Sequence, residues 1–158
     1  MYHKNMIGSI GEFYVAYELS RLGIDVVIVG GNNRFGIADI VVNGNKTIEV
    51  KTSVYSQNRK GGGNGHVAKS GWGFAGLKKT NTHKSDYFAF VLLNNDMSTY
   101  NTIYVNNANI RSGSFWYWKP NNKTCMGKRG PSPTETTWKN HFMTAKEFAK
   151  LIMSQHEI

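Results

Sequence analysis

Apolar residues recur at helical spacing near the N-terminus, where Val15, Ala16, Leu19 and Leu22 share one face and predict a helix over about residues 5–22. Gly23 stands just beyond it, where a glycine usually ends a helix. The period then shortens. Residues 26–29 (VVIV) read as a short buried strand and residues 30–34 as a loop, and residues 37–42 and 47–53 read as strands joined by an Asn43-Gly44 turn. Trp72-Gly73-Phe74 suggests a short extended piece. Residues 87–93 form an apolar run of strand length, and residues 101–105 alternate as a strand does. At the C-terminal end Thr144 and Glu147 form a capping box and Met143 and Phe148 a hydrophobic staple. With Phe148, Leu151 and Ile152 as its buried stripe, they predict a helix over about residues 144–155. Helix, strands, strands, helix predicts an α/β fold with a mixed central sheet and helices packed on it.

The chain has 158 residues, 40% hydrophobic and 18% charged, which suits one folded domain with a core. That domain is expected to have its catalytic core at about 5–53 and 86–106, with basic loop or hairpin insertions at about 54–84 and 107–137. Cys125 is the only cysteine, so no intramolecular disulfide forms. No stretch approaches the ~20 apolar residues of a membrane span, and no signal-peptide core opens the chain. A cytoplasmic protein without a membrane partner is expected.

Charge sharpens this picture. The formal net charge is +9, yet residues 1–53 are balanced, as is the tail from Glu135. The surplus lies in two segments without a single acid. One, from Thr52 to Lys84, holds Arg59, Lys60, Lys69, Lys78, Lys79 and Lys84; the other, from Met97 to Thr134, holds Arg111, Lys119, Lys123, Lys128 and Arg129. A basic balance is often only a solvated surface, but concentration into acid-free blocks is the footprint of a polyanion binder.

Candidate chemistry sits in the balanced part. Glu12 points along the apolar stripe of the first helix, where an unpaired carboxylate is costly and a cationic partner is expected. Ser9-Ile10-Gly11-Glu12 is also a capping-box pattern, an alternative use of the same acid. Asp39 interrupts one apolar strand, Glu49 interrupts the next, and Lys51 shares Glu49's face because side chains alternate along a strand. Asp39 joins that face only if the turn has an odd number of residues, with Gly44 or Asn45 in the left-handed conformation. A two-residue turn sets Asp39 opposite Ile48, on the wrong face. On a shared face, Asp39, Glu49 and the Val50 carbonyl suit Mg²⁺, which prefers oxygen ligands and keeps several waters. Such an ion activates water beside a phosphodiester while Lys51 orients it. The plainer alternative is a cross-strand ion pair.

These residues carry a family resemblance. Gly8-Ser9-Ile10-Gly11-Glu12, Gly36-Ile37-Ala38-Asp39-Ile40 and Ile48-Glu49-Val50-Lys51-Thr52 resemble the PD-(D/E)XK nuclease superfamily, particularly small restriction endonucleases and archaeal-type Holliday junction resolvases. The resemblance spans about residues 7–53. It implies a restriction-endonuclease-like fold, Asp39 and Glu49 as ligands of Mg²⁺ (or Mn²⁺), Lys51 as the catalytic lysine, and Glu12 as an auxiliary acid acting on metal or through water. Ala38 stands where the family usually has proline. Segment 54–84 lacks the helical periodicity that follows the Glu-x-Lys strand in junction resolvases.

The expected function is therefore metal-dependent DNA endonuclease activity by a homodimer. Restriction-type duplex cleavage is favoured, with junction resolution or a non-catalytic nucleic-acid-binding module as alternatives. Arg59, Lys60, Lys69, Lys78, Lys79, Lys84, Arg111, Lys128 and Arg129 are the expected DNA-contacting set. Residues 115–118 (FWYW) could stack on bases, although such runs more often pack a core or an interface. The five histidines show no zinc-site spacing.

Overall fold

The computed structural model describes residues 4–29, 38–59, 69–77, 85–110, 113–118, 123–126 and 141–155; at 57–59, 69–70, 75–77, 113–116, 118 and 123–126 only the backbone is described. Helix α1 runs Lys4–Arg21 and buries Gly11, Val15 and Leu19, while Ala16 and Leu22 are half-buried. It ends as the sequence indicates, with Gly23 in the left-handed region at φ 86°. Strands β1 (Val26–Ile28), β2 (Ile40–Val42), β3 (Lys46–Val54), β6 (Tyr87–Leu93) and β7 (Thr99–Asn106) form one sheet in the order β1-β2-β3-β6-β7. Only β3 and β6 pair in parallel; the other neighbours are antiparallel, so the sheet is mixed. Every residue of β6 is buried, because that strand is central and covered on both faces.

The two faces differ. Ile48, Val50, Ala89, Val91 and Tyr104 meet α1 and the C-terminal helix α2 (Ala145–Ser154) in one core cluster. Phe88, Phe90, Leu92, Ile103 and Val105 form a second cluster with Trp72, Phe74 and Tyr117 from a second sheet. That sheet has the order β4 (Ser56–Arg59), β5 (Lys69–Leu77), β8 (Gly113–Trp118), β9 (Lys123–Met126). Trp72 is fully buried between the two sheets and donates its indole N–H to the Leu93 carbonyl at 2.7 Å. The architecture is thus helices on one face of a mixed sheet and a smaller antiparallel sheet on the other, in agreement with the expected α/β class.

Several expectations change. Residues 26–29 read as a buried strand, yet β1 is the sheet's edge and Val27 is 55% exposed. Of the strand expected over 37–42, residue 37 lies outside the described residues and β2 begins at Ile40, so Asp39 lies in a bend ahead of it. Ser9 is no N-cap: it is well inside α1 and donates its hydroxyl back to the Asn5 carbonyl at 3.0 Å. The two basic insertions meet in one sheet, where β4 and β5 from one acid-free segment join β8 and β9 from the other. At the C-terminus the capping box holds, with Thr144 Oγ1 accepting from the Glu147 amide at 3.2 Å. Phe148 and Ile152 are fully buried and Leu151 half-buried. Tyr117 takes the packing role, being buried in the second cluster.

Candidate active site

The turn between β2 and β3 has odd parity. Val42 pairs with Lys46, leaving Asn43, Gly44 and Asn45 as a three-residue loop with Asn43 and Gly44 left-handed at φ 47° and 75°. Glycine takes such a φ freely and asparagine is among the residues that tolerate it. Asn43 is also tied down: its amide donates to the Asp25 carbonyl at 2.8 Å, and its side-chain oxygen accepts from the Asp25 amide at 3.0 Å. The resulting register sets Ile40 opposite Ile48, both fully buried on the helix side. Alternation then puts Asp39 on the other face, level with Glu49.

A second feature opens the site. β2 covers only residues 46–48 of the longer β3, so β3 beyond Ile48 has no strand partner on that flank among the described residues. Asp39 occupies the first position of this open edge. Its Oδ2 accepts from the Val50 amide at 2.8 Å, in place of the ladder bond that a longer β2 would have made, which fixes the carboxylate beside Glu49 and Lys51. Lys51 Nζ donates to Glu49 Oε1 at 2.6 Å, with both side chains partly exposed.

Glu12 approaches from the helix side, and a close helix–strand contact brings it there. Gly11 is buried against Thr52, and a Cβ added at Gly11 would lie 1.8 Å from Thr52 Oγ1. Only glycine lets the axis of α1 come this near to β3. Glu12 is half-buried, and its carboxyl is pushed above its ordinary value, first by burial and then by the negative charges of Asp39 and Glu49. Among the described residues no cation pairs with it, contrary to the expectation that one would. Three carboxylates and one lysine therefore share one edge. No three carboxylate, histidine or cysteine groups among the described residues converge closely enough to hold a metal ion as they stand.

Of the expected DNA contacts, Arg59 and Lys69 are paired backbone neighbours in the second sheet, on β4 and β5. Lys60, Lys78, Lys79, Lys84, Arg111, Lys128 and Arg129 lie outside the described residues. All four strands of this sheet come from the acid-free segments. It covers the face of the main sheet to which Glu49 and Lys51 belong, since they pair in register with Phe88 and Phe90 of the second cluster. Sequence reasoning missed Gly11 and Thr52 as a contact. The available signal was a glycine inside a helix, which costs about 1 kcal/mol against alanine and so asks for a packing reason.

No family model matches the sequence, and no curated protein matches it. Among solved structures the chain is similar to a bacterial homing endonuclease, I-Ssp6803I, with a TM-score of 0.57 over 98% of this chain and 94% of that one, at 13% identity. At that identity the likeness establishes the fold.

Proposed function

We propose that this chain is a metal-dependent DNA endonuclease of the PD-(D/E)XK type, cleaving duplex DNA. The observation that carries the reading is the gathering of Asp39, Glu49 and Glu12 with Lys51 around the open edge of β3. The fold it shares with a protein described as a homing endonuclease supports DNA as the substrate. The second sheet, built from acid-free segments on the same side of the main sheet, supports it independently.

The donor set fits a hard divalent ion. Mg²⁺ uses one or two carboxylates and keeps several waters, so an enclosing cluster is not needed. Burial raises Glu12 most and the repulsion of Asp39 and Glu49 adds to it; that repulsion is the kind a dication relieves. Asp39 and Glu49, with the Val50 carbonyl, would hold Mg²⁺ (Mn²⁺ substituting), and Glu12 would reach it through a water. When bound, the ion supplies Lewis-acid polarisation of the phosphate and a more acidic water.

The chain's own residues do the rest. The Val50 amide orients the Asp39 carboxylate. Lys51, paired with Glu49 in the resting arrangement, orients the attacking water and offsets the charge that builds on the phosphorane. Glu12, held beside Asp39 and Glu49, would accept the proton that the attacking water releases. Arg59, Lys60, Lys69, Lys78, Lys79, Lys84, Arg111, Lys128 and Arg129 supply the phosphate contacts.

The test is one gel: plasmid and a four-way junction incubated with protein and Mg²⁺ or with EDTA. The reading expects Mg²⁺-dependent cutting of plasmid. Cutting confined to the junction would replace it with junction resolution. Salt-sensitive binding without cutting, indifferent to EDTA, would replace it with a binding module.

A further inference from the structure

Between α1, β7 and the first turn of α2 the surface dips into a hollow of about 410 Å³, within the ~300–1,000 Å³ of small-molecule sites. None of Glu12, Asp39, Glu49 or Lys51 lines it. The hollow holds one acid and two cations. Glu18 is half-buried in its wall, Arg21 follows one turn later on α1, and Lys146 stands in the first turn of α2. Opposite charges gathered in this way ordinarily close into an ion pair. Yet among the described residues neither cation meets Glu18 or any other acid.

Each group is held by something else. The Tyr104 hydroxyl donates to Glu18 Oε1 at 2.9 Å, and burial pushes the Glu18 carboxyl above its ordinary value. Arg21 lies over the Tyr17 ring, 5.6 Å from its centroid, which keeps the guanidinium at the rim. Tyr14 donates its hydroxyl to the Met97 carbonyl at 3.0 Å and so gives the hollow a fixed aromatic wall. Thr99 and Thr102 add two hydroxyls that are buried with no hydrogen-bond partner among the described residues. Thr102 is only 4% exposed. A hydroxyl at that depth is costly to leave unpaired, and a bound polar atom removes the cost.

The chemistry of the hollow has two ends. Arg21 and Lys146, beside the unpaired amides of a helix N-terminus, suit a phosphate. Glu18 suits a group that bears N–H donors, and the tyrosine rings suit a flat ring. A bare anion would leave Glu18 and most of the volume unused, and a metal ion would be opposed by both cations. A nucleotide has both ends. Guanine carries two adjacent N–H donors on one edge, the match for a carboxylate.

We propose that this hollow binds a nucleoside monophosphate, guanine preferred, with the base on Glu18 and the phosphate on Arg21 and Lys146. The site stands apart from the acidic edge of β3 and does not rest on the nuclease reading. The same unit occurs free and as the 5′-phosphorylated end of a strand.

Isothermal titration calorimetry of the full chain in EDTA tests the site, since no divalent ion then draws phosphate to the acidic edge. Guanosine monophosphate is expected to bind, one molecule per chain, with a Kd of about 10–100 μM, more tightly than adenosine monophosphate, guanosine or inorganic phosphate. Arg21→Met and Lys146→Met, both at exposed positions, are expected to weaken it about 10-fold each and to reduce its advantage over guanosine. Glu18→Gln, which keeps an acceptor for Tyr104, is expected to reduce its advantage over adenosine monophosphate. Lys150→Met makes the same charge change on α2 outside the hollow and is expected to leave binding intact. A 5′-phosphorylated oligonucleotide beginning with guanine, if it displaces the nucleotide, identifies a strand end as the occupant; if it does not, the free nucleotide is. The proposal is overturned by an absence of binding at millimolar nucleotide, by phosphate alone binding as tightly, or by Lys150→Met weakening binding as much as Lys146→Met.

Discussion

Gly11→Ala separates this structure from the ordinary behaviour of a helix. At an open helical site the change stabilises by about 1 kcal/mol, because alanine is the better helix former. Here the new methyl would meet Thr52 Oγ1 at 1.8 Å, Cβ at 2.9 Å and Cγ2 at 3.0 Å, where ordinary contact begins at 3.4 Å. The clash is with a β-branched residue in the middle of β3, which has little freedom to move aside. Overpacking of this kind costs typically ~1–3 kcal/mol, enough to reverse the sign, so a net loss of about 1 kcal/mol is expected in urea denaturation. Thr52→Ala removes the two γ atoms and leaves Cβ. Its own cost is small, since Oγ1 is buried without a hydrogen-bond partner among the described residues. The double variant Gly11→Ala/Thr52→Ala is therefore expected to recover part of the stability, because the Cβ of residue 52 at 2.9 Å still crowds the new methyl, with a coupling of ~1 kcal/mol. In the single variant α1 must lift from β3 and carry Glu12 with it. A displacement of about 1 Å at a reacting group costs on the order of 100-fold in rate, so plasmid cleavage is expected to fall further than stability does. If Gly11→Ala proves more stable than the wild type, or the two substitutions act additively, the close approach of α1 to β3 is wrong.

Glu12→Gln tests the electrostatics of the site. The folded-state pKa of Glu12 is raised, so the wild type is penalised as pH rises through it and unpenalised below the ordinary value of 4.5. Without divalent ions the variant should melt higher than the wild type at neutral pH, and the gap should close below that value; a constant gap would refute the assignment. Lys51→Ala removes only a partly exposed ion pair, so stability should change by no more than ~0.5 kcal/mol. Cleavage should fall by ~100-fold or more, while the thermal shift caused by Mg²⁺ persists. Tyr104→Phe removes the hydroxyl that donates to Glu18 Oε1 at 2.9 Å in a partly buried setting. A loss of ~1–2 kcal/mol is expected at neutral pH. The loss should shrink in acid, where Glu18, whose pKa is raised chiefly by burial, takes up a proton; equal losses at both pH values would show that the bond is not to a carboxylate.

The features legible without any coordinates are local. The stop of α1 at Gly23, the apolar run of β6, the capping box of α2 and the Asn43-Gly44 turn were all legible, because each rests on residues within one turn or one strand. The pattern Asp39, Glu49, Lys51 was equally legible as a candidate. Whether those side chains share a face was not, because turn parity depends on which pairing buries Ile40 and Val42, and that is a question about the whole sheet. It took the assembled sheet to show that β2 stops short beside β3 and leaves the Val50 amide for Asp39. Only it brought Glu12 in through the contact of Gly11 with Thr52, and only it joined two acid-free segments, separated in sequence by the core strands, into one sheet. Hydrophobic period and capping are settled between near neighbours along the chain. Register, edges and close approach are settled between residues far apart in it, by what the completed core has room to bury.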